Sequence, residues 1–152
     1  MNAGAHGGVH DKEMLMYQET YHIPFMLRMP GQDAQRVTQP ICNLDIAPTM
    51  LDFAGLPIPG DMDGESLVPF LTGTGTGGRE HFLLEFWRYF PESTPSYTGV
   101  RTDRYKYVEF ERGRDPWLFD LQNDPREEIN LYGTAEGEQL LPALKSLMAA
   151  SQ

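Results

Sequence analysis

Residues Thr72–Gly78 read Thr-Gly-Thr-Gly-Thr-Gly-Gly. Glycine at alternate positions leaves the backbone too free for a helix or strand, so the run reads as a flexible linker. It divides the chain into residues 1–72 and 80–152, joined by 73–79. The first part carries short helical and apolar pieces punctuated by proline and glycine. The second carries strand patterns and ends in an amphipathic helix, which makes the whole α+β.

In the first part, residues 1–11 form a Gly- and His-rich loop. A short helix is expected from about Lys12 to Tyr21, ended by Ile23-Pro24. Phe25–Met29 is a brief apolar run before the Pro30-Gly31 turn and reads as a buried strand of a larger sheet. Val37–Cys42 reads as a second extended piece. Asp45 is expected to cap a helix through Ala54, with Pro48 in the first turn and Ile46, Met50 and Phe53 on one face. Gly55 and Pro57 stop it.

In the second part, Phe82–Tyr89, Tyr97–Arg101, Tyr105–Phe110 and Trp117–Leu121 read as strands. Thr102-Asp103-Arg104 is a hairpin turn, and Asn123-Asp124-Pro125 is another turn. Along the third strand, Tyr105, Tyr107 and Glu109 point one way, and Lys106, Val108 and Phe110 the other. Thr134 can cap a final helix whose stripe is Leu140, Leu141, Leu144, Leu147 and Met148.

Charge and cysteine count exclude several functions. With 22 acidic against 12 basic residues, the net charge of -10 repels phosphate backbones, so nucleic acid is not an expected partner. No apolar run approaches the roughly 20 residues of a membrane helix. The first residues carry no basic or apolar leader pattern, so no signal peptide is expected in them and the compartment stays open. A single cysteine, Cys42, allows no intrachain disulfide and reads as a small buried hydrophobe.

Five stretches line up, in order, with one family. Gly4–Gly31 (GAHGGVHDKEMLMYQETYHIPFMLRMPG) resembles the type I sulfatase segment that follows the family's Asp-His-Gly metal motif. Asn43–Pro59 (NLDIAPTMLDFAGLPIP) resembles its Asp-x-Ala-Pro-Thr helix. Asp63–Gly73 (DGESLVPFLTG) resembles its Asp-Gly-x-Ser-Leu-x-Pro-x-Leu segment. VRTDRYKYVEF and WLFDLQNDPREEINLYG resemble its C-terminal sheet. The chain therefore resembles a C-terminal fragment of the formylglycine-dependent sulfatases, within the alkaline phosphatase-like superfamily. The fold implied is the truncated edge of an α/β catalytic domain over 1–72, then a small antiparallel sheet with a C-terminal helix over 80–152.

What the resemblance implies about chemistry is uneven. In the family a formylglycine hydrate, held with calcium or magnesium by oxygen ligands, attacks sulfur. The nucleophile motif Cys-x-Pro-x-Arg does not occur in these residues, since Cys42 sits in Ile-Cys-Asn-Leu-Asp. The family's metal carboxylates have no counterpart here either, so no metal ligand is assigned. Lys12 occupies the family position of a sulfate-contacting Lys, although by residue chemistry alone it would be a solvated surface Lys. His6 matches a loop His that shapes the site or touches substrate; a loop His bonded to backbone is the plain alternative. His6 and His10, with Asp11 next door, suggest a His-x3-His-Asp metal site on one helical face, but His pairs suit zinc better than the hard cation of the family, and Gly4, Gly7 and Gly8 oppose a helix here.

Further positions carry weaker expectations. His10, Trp87 and Arg88 are candidates for holding the sulfated substrate, Trp87 and Arg88 through stacking and charge beside a Pro-rich loop. Core packing is the plain reading of that aromatic pair. Glu19 is expected to make a buried hydrogen bond, and His22 to pack partly buried or lie on the surface.

The expected role is thus a sulfuric ester hydrolase portion with little or no turnover by itself, whose substrate in the intact enzyme is a sulfated small molecule or glycan. Two alternatives stand beside it. One is a non-catalytic assembly module that pairs with a separate N-terminal half. The other is a phosphonate or phosphate monoester hydrolase relative. An uncovered Phe25–Met29 strand would leave an apolar patch around residues 14–29 and favour self-association.

Overall fold

The computed structural model describes residues 15–37, 40–75, 79–88 and 95–151. Two compact units emerge: one combines the residues up to Phe25 with His81 onward, and the other runs from Met26 to Glu80.

The first unit is built on a four-stranded antiparallel meander: β1 (His81–Phe86), β2 (Tyr97–Thr102), β3 (Tyr105–Phe110) and β4 (Trp117–Asp120). The hairpin at Asp103-Arg104 is closed by the Tyr105 N–H donating to Thr102 Oγ1 at 2.9 Å. The register pairs Val100 with Tyr107 and Tyr107 with Leu118, so these three share one face. It pairs Gly99 with Val108 and Val108 with Trp117, which places Tyr97, Lys106, Val108, Phe110, Trp117 and Phe119 on the other. The alternation read along β3 is therefore the alternation observed.

The first face is covered by the last helix, Ala135–Ala150. Leu141, Leu144 and Met148 bury themselves against Val100, Tyr107 and Leu118. Each such apolar side chain contributes roughly 1.5–3 kcal/mol. Thr134 caps the helix as expected, its Oγ1 accepting the Gly137 N–H at 3.1 Å. A Cβ at Gly137 would lie 2.0 Å from the Leu131 carbonyl oxygen, so only glycine fits there. Pro142 falls on the exposed side of the helix, as does Glu138, the residue whose carbonyl loses its donor.

The second face is covered by Leu15, Met16 and Tyr17, which pack on Tyr97, Val108, Trp117 and Phe119. The division at the Gly-rich run groups these residues with the segment before it; in the structure residues 15–25 go with the C-terminal sheet. The reason lies in the sheet, which has two apolar faces, of which the last helix covers one and Leu15, Met16 and Tyr17 the other. A single turn, α1 (Gln18–Tyr21), comes next. It is shorter than the helix expected to begin at Lys12, a start that lies outside the described residues.

In the second unit, a 3-10 turn (Asn43–Asp45) runs into α2 (Ile46–Phe53), and α3 (Val68–Leu71) lies further along. Gly55, at φ 67°, ends α2 as expected, with the Leu56 N–H reaching the Leu51 carbonyl at 2.9 Å. Asp45 does not cap α2 through its side chain. It is buried, and its carboxylate instead accepts the Cys42 and Glu65 N–H groups at 2.8 and 2.9 Å and pairs with Arg79 at 2.9 Å. The Cys42 bond is the capping-box bond of the 3-10 turn, and the same carboxylate also holds the Glu65 amide and the Arg79 guanidinium.

Other expectations fail here. Phe25–Met29 forms no strand. A strand needs a neighbour to take its N–H and C=O groups, and among the described residues none lies beside it. The described residues of Val37–Cys42 form no strand either. Met26 is 93% exposed, with Ile23 and Phe25 also open to solvent, whereas Leu15 is buried within the same expected patch. Ile46, Met50 and Phe53 do share a face, but that face is exposed; Pro48 and Thr49 are the buried side of α2. Cys42 is half-buried rather than buried, and that burial pushes its thiol pKa up. Glu19 is exposed rather than buried, and His22 is on the surface.

Candidate functional site

The chain enters the described structure at Leu15, and residues Met16–Gln18 are held there by buried charge. Lys106 projects from the middle of β3 onto the sheet face that carries Val108, Phe110 and Trp117. Its ammonium pairs with the Glu127 carboxylate, both side chains being 0% exposed, and also donates to the Met16 carbonyl. The other Glu127 oxygen accepts the Gln18 N–H at 2.7 Å. The rings of Phe119, Tyr21 and Tyr17 surround the ammonium at 5.3, 5.5 and 5.8 Å. Burial lowers the Lys106 pKa, and the Glu127 charge works against that fall. Glu127 sits at φ 57°, an uncommon conformation for a residue with a side chain.

An aromatic ladder crosses the same face. Phe86 stacks on Tyr97 at 5.4 Å, Tyr97 meets Phe110 edge-on at 5.7 Å, and Phe110 meets Trp117 at 4.8 Å. Tyr17 stacks on Trp117 at 4.7 Å, which fastens the entering segment to the far end of the ladder. The Arg114 guanidinium lies 4.8 Å from both the Phe110 and Trp117 rings. Burial raises the phenol pKa of Tyr17 and Tyr97.

Just past β1 the chain presents Trp87 and Arg88. Trp87 is 70% exposed, while Arg88 is half-buried and its backbone N–H donates to Ser96 Oγ at 3.1 Å. The bond ties the end of β1 to the start of β2. An open indole beside a guanidinium can stack on a ring and attract an anion. Core packing is ruled out for Trp87 by its exposure.

Lys12, His6 and His10 lie outside the described residues, so of the sequence-derived candidates only Trp87 and Arg88 can be placed. Among the described residues no three His, Cys, Asp or Glu side chains converge on a point where a metal could sit. The two buried aspartates are committed to cations already: Asp45 to Arg79, and Asp120 to Arg104 at 2.7 Å. The described residues therefore do not fit a calcium or magnesium site.

Sequence reasoning missed Lys106 and Glu127. One signal was available: Lys106 alternates in phase with Val108 and Phe110, so a charge was bound to face the core. His81 was also not singled out; its Nε2 lies 2.7 Å from Ser151 Oγ at the end of the last helix.

Comparison with known proteins supplies the family. A family model described as N-sulphoglucosamine sulphohydrolase, C-terminal, matches residues 4–152. The chain is 32% identical to the N-acetylglucosamine-6-O-sulfatase of Bacteroides thetaiotaomicron, over 98% of this chain and 28% of that protein. It is 35% identical to arylsulfatase K of Rattus norvegicus, over 78% of this chain and 23% of that protein. A solved protein in complex with its substrate D-glucosamine-2-N,6-O-disulfate superposes with a TM-score of 0.65 at 33% identity, over 71% of this chain and 23% of the other. A phosphonate monoester hydrolase from Silicibacter pomeroyi superposes with a TM-score of 0.70 at 30% identity, over 81% and 27%. The chain thus spans about a quarter of the length of the curated relatives it matches. With the match running through both compact units, the chain belongs to the N-sulphoglucosamine sulphohydrolase C-terminal family, the C-terminal region of type I sulfatases of the alkaline phosphatase-like fold.

Proposed function

We propose that the chain serves as the C-terminal part of a sulfatase for sulfated sugars and does not turn over sulfate esters by itself. The observation that carries this reading is the match over residues 4–152 to a sulfatase C-terminal family, with a relative named for N-acetylglucosamine 6-O-sulfate among the curated proteins. Lys12 and His6 are the residues for the sulfate, through the charge and donors a sulfate needs. His10, Trp87 and Arg88 are the residues for the sugar side; the exposed indole of Trp87 supports that role. The 152 residues contain no Cys-x-Pro-x-Arg motif, which supports the absence of turnover. In this reading the formylglycine and the calcium or magnesium ion are held by other residues.

Titration of the isotopically labelled chain with glucosamine 6-sulfate tests the binding part. Shifts of the Trp87 indole signal that weaken in Lys12→Ala and in Arg88→Ala are expected. No shift in the wild-type chain, or shifts indifferent to both substitutions, would sink it.

A second reading is a phosphonate or phosphate monoester hydrolase portion, favoured by the superposition on the Silicibacter pomeroyi enzyme. A phosphonate monoester that displaces glucosamine 6-sulfate at lower concentration would move the conclusion to it. A third reading is an assembly module that meets a separate chain or a second copy. The open apolar side chains of Ile46, Met50 and Phe53 support it.

A further inference from the structure

Helix α2 is turned the wrong way round for a helix on the outside of its unit. A surface helix buries its apolar stripe and gives its polar side to water. Here the buried side is Pro48 and Thr49, and polar bonds hold it there. Thr49 Oγ1 accepts the Leu67 N–H at 2.9 Å, and Asp45, just before the helix, accepts the Glu65 N–H at 2.9 Å. The Ser66 hydroxyl donates to the Asp52 carboxylate. The run from Glu65 to Leu67 thus fixes the helix with its apolar side outward. Ile46, Met50 and Phe53 stand exposed on that side, and Leu56 and Met62 further along are exposed as well. Open apolar side chains in such a group mark a surface that another polypeptide covers.

Charge narrows the partner. From Pro40 to Gly75 the chain carries Asp45, Asp52, Asp61, Asp63 and Glu65 and no Lys, Arg or His. Asp63 and Glu65 are exposed, and they stand beside the start of α2: the Glu65 N–H reaches Asp45, and Arg79, paired with Asp45, donates to the Asp63 carbonyl. A matching surface is apolar with Lys or Arg at its rim. A second copy of this chain meets that need badly, because it sets acids against acids. The relatives supply another candidate: 98% of this chain covers only 28% of the N-acetylglucosamine-6-O-sulfatase, so most of that protein lies outside the match.

We propose that the outward face of α2, made by Ile46, Met50 and Phe53 and bordered by Asp63 and Glu65, is the docking surface for the rest of a sulfatase, which meets it with an apolar patch rimmed by Lys or Arg. This rests on the reading of the chain as the C-terminal part of a sulfatase, and it names where that part joins its partner.

The probe is the Bacteroides thetaiotaomicron N-acetylglucosamine-6-O-sulfatase without its matched 28%, co-expressed with the tagged 152-residue chain. Light scattering after size exclusion is expected to find a complex with one copy of each. Met50→Lys and Phe53→Lys are each expected to weaken it about tenfold or more, because a buried ammonium replaces an apolar contact. Asp63→Asn with Glu65→Gln weakens it less and flattens its dependence on salt. Since Met50 and Phe53 are open to solvent in the free chain, the circular dichroism of both Lys variants stays that of the wild type. A chimera, in which the 152 residues replace the matched segment of the intact Bacteroides enzyme, covers the case of a probe that does not fold without that segment. Oxidation of Met50 by dilute peroxide, read by mass spectrometry, is expected to be many-fold slower in the chimera than in the free chain. A complex indifferent to both Lys variants, or Met50 oxidised as fast in the chimera as in the free chain, overturns the docking face and leaves the sulfatase reading standing. A pair of 152-residue chains that the probe does not displace overturns it in favour of a second copy. No complex together with no soluble chimera sinks the face and the sulfatase reading alike.

Discussion

The ammonium of Lys106 and the carboxylate of Glu127 meet with both side chains wholly withdrawn from solvent. Breaking such a pair from one side leaves a buried charge with no partner. Lys106→Met is therefore expected to cost about 3–5 kcal/mol of stability. Adding Glu127→Leu should return most of the loss, because the desolvation of the pair disappears with it. Urea unfolding at pH 7 of the two variants checks this; equal losses in the single and the double variant would contradict it.

Asp120 titrates where its partners dictate. The hydrogen bonds from Arg104, helped by the Gln122 and Asn123 N–H groups, hold its pKa down to about 2. A carboxyl group depressed in the folded state contributes stability that is present above its unfolded pKa of about 3.9 and lost as pH falls toward the folded value. Arg104→Gln should raise the folded pKa and move the acid unfolding midpoint to higher pH. Circular dichroism tracked down from pH 5 checks it, and an unchanged midpoint would show that Arg104 contributes nothing.

Gly137 is expected to resist a substitution that helix propensity favours. Alanine is the better helix former by about 1 kcal/mol. Yet a Cβ at this position would lie 2.0 Å from the Leu131 carbonyl oxygen, and that is backbone, which cannot swing aside. Gly137→Ala should lower stability by about 1–3 kcal/mol through overpacking, as read by the thermal midpoint. A rise in the midpoint would mean that the Leu131 turn yields freely.

These sites differ in how far they could be read from the sequence. The hairpin at Asp103-Arg104, the two faces of β3, the Thr134 cap and the stripe over Leu141, Leu144 and Met148 all rest on local signals: period, turn chemistry and capping. Each was legible because neighbours within a few residues determine it. The partners of Asp45 lie 20 and 34 residues away, at Glu65 and Arg79, and no local pattern announces them. Glu127 is likewise remote from Lys106. The Phe25–Met29 run fails for a related reason, since an apolar run reads alike whether or not a partner strand lies beside it. His6, His10 and Lys12 were proposed through short family motifs rather than through periodicity, and they lie outside the described residues. Trp87 and Arg88 were legible only as an aromatic beside a cation; the exposure that separates Trp87 from core was not.

Association should depend on the open face of α2. Met50 is 60% exposed and shares its face with Ile46 and Phe53. Light scattering over a concentration series is expected to show a rise in mass for the wild-type chain and a smaller one for Met50→Lys. A monodisperse monomer at every concentration would remove the second-copy form of the assembly reading.

The central claim is that these residues serve a sulfatase and do not carry its turnover by themselves. The most direct measurement is sulfate release from glucosamine 6-sulfate and an aryl sulfate by the purified 152-residue chain with added calcium. The account predicts no release above that of Lys12→Ala. Turnover well above that control would contradict it.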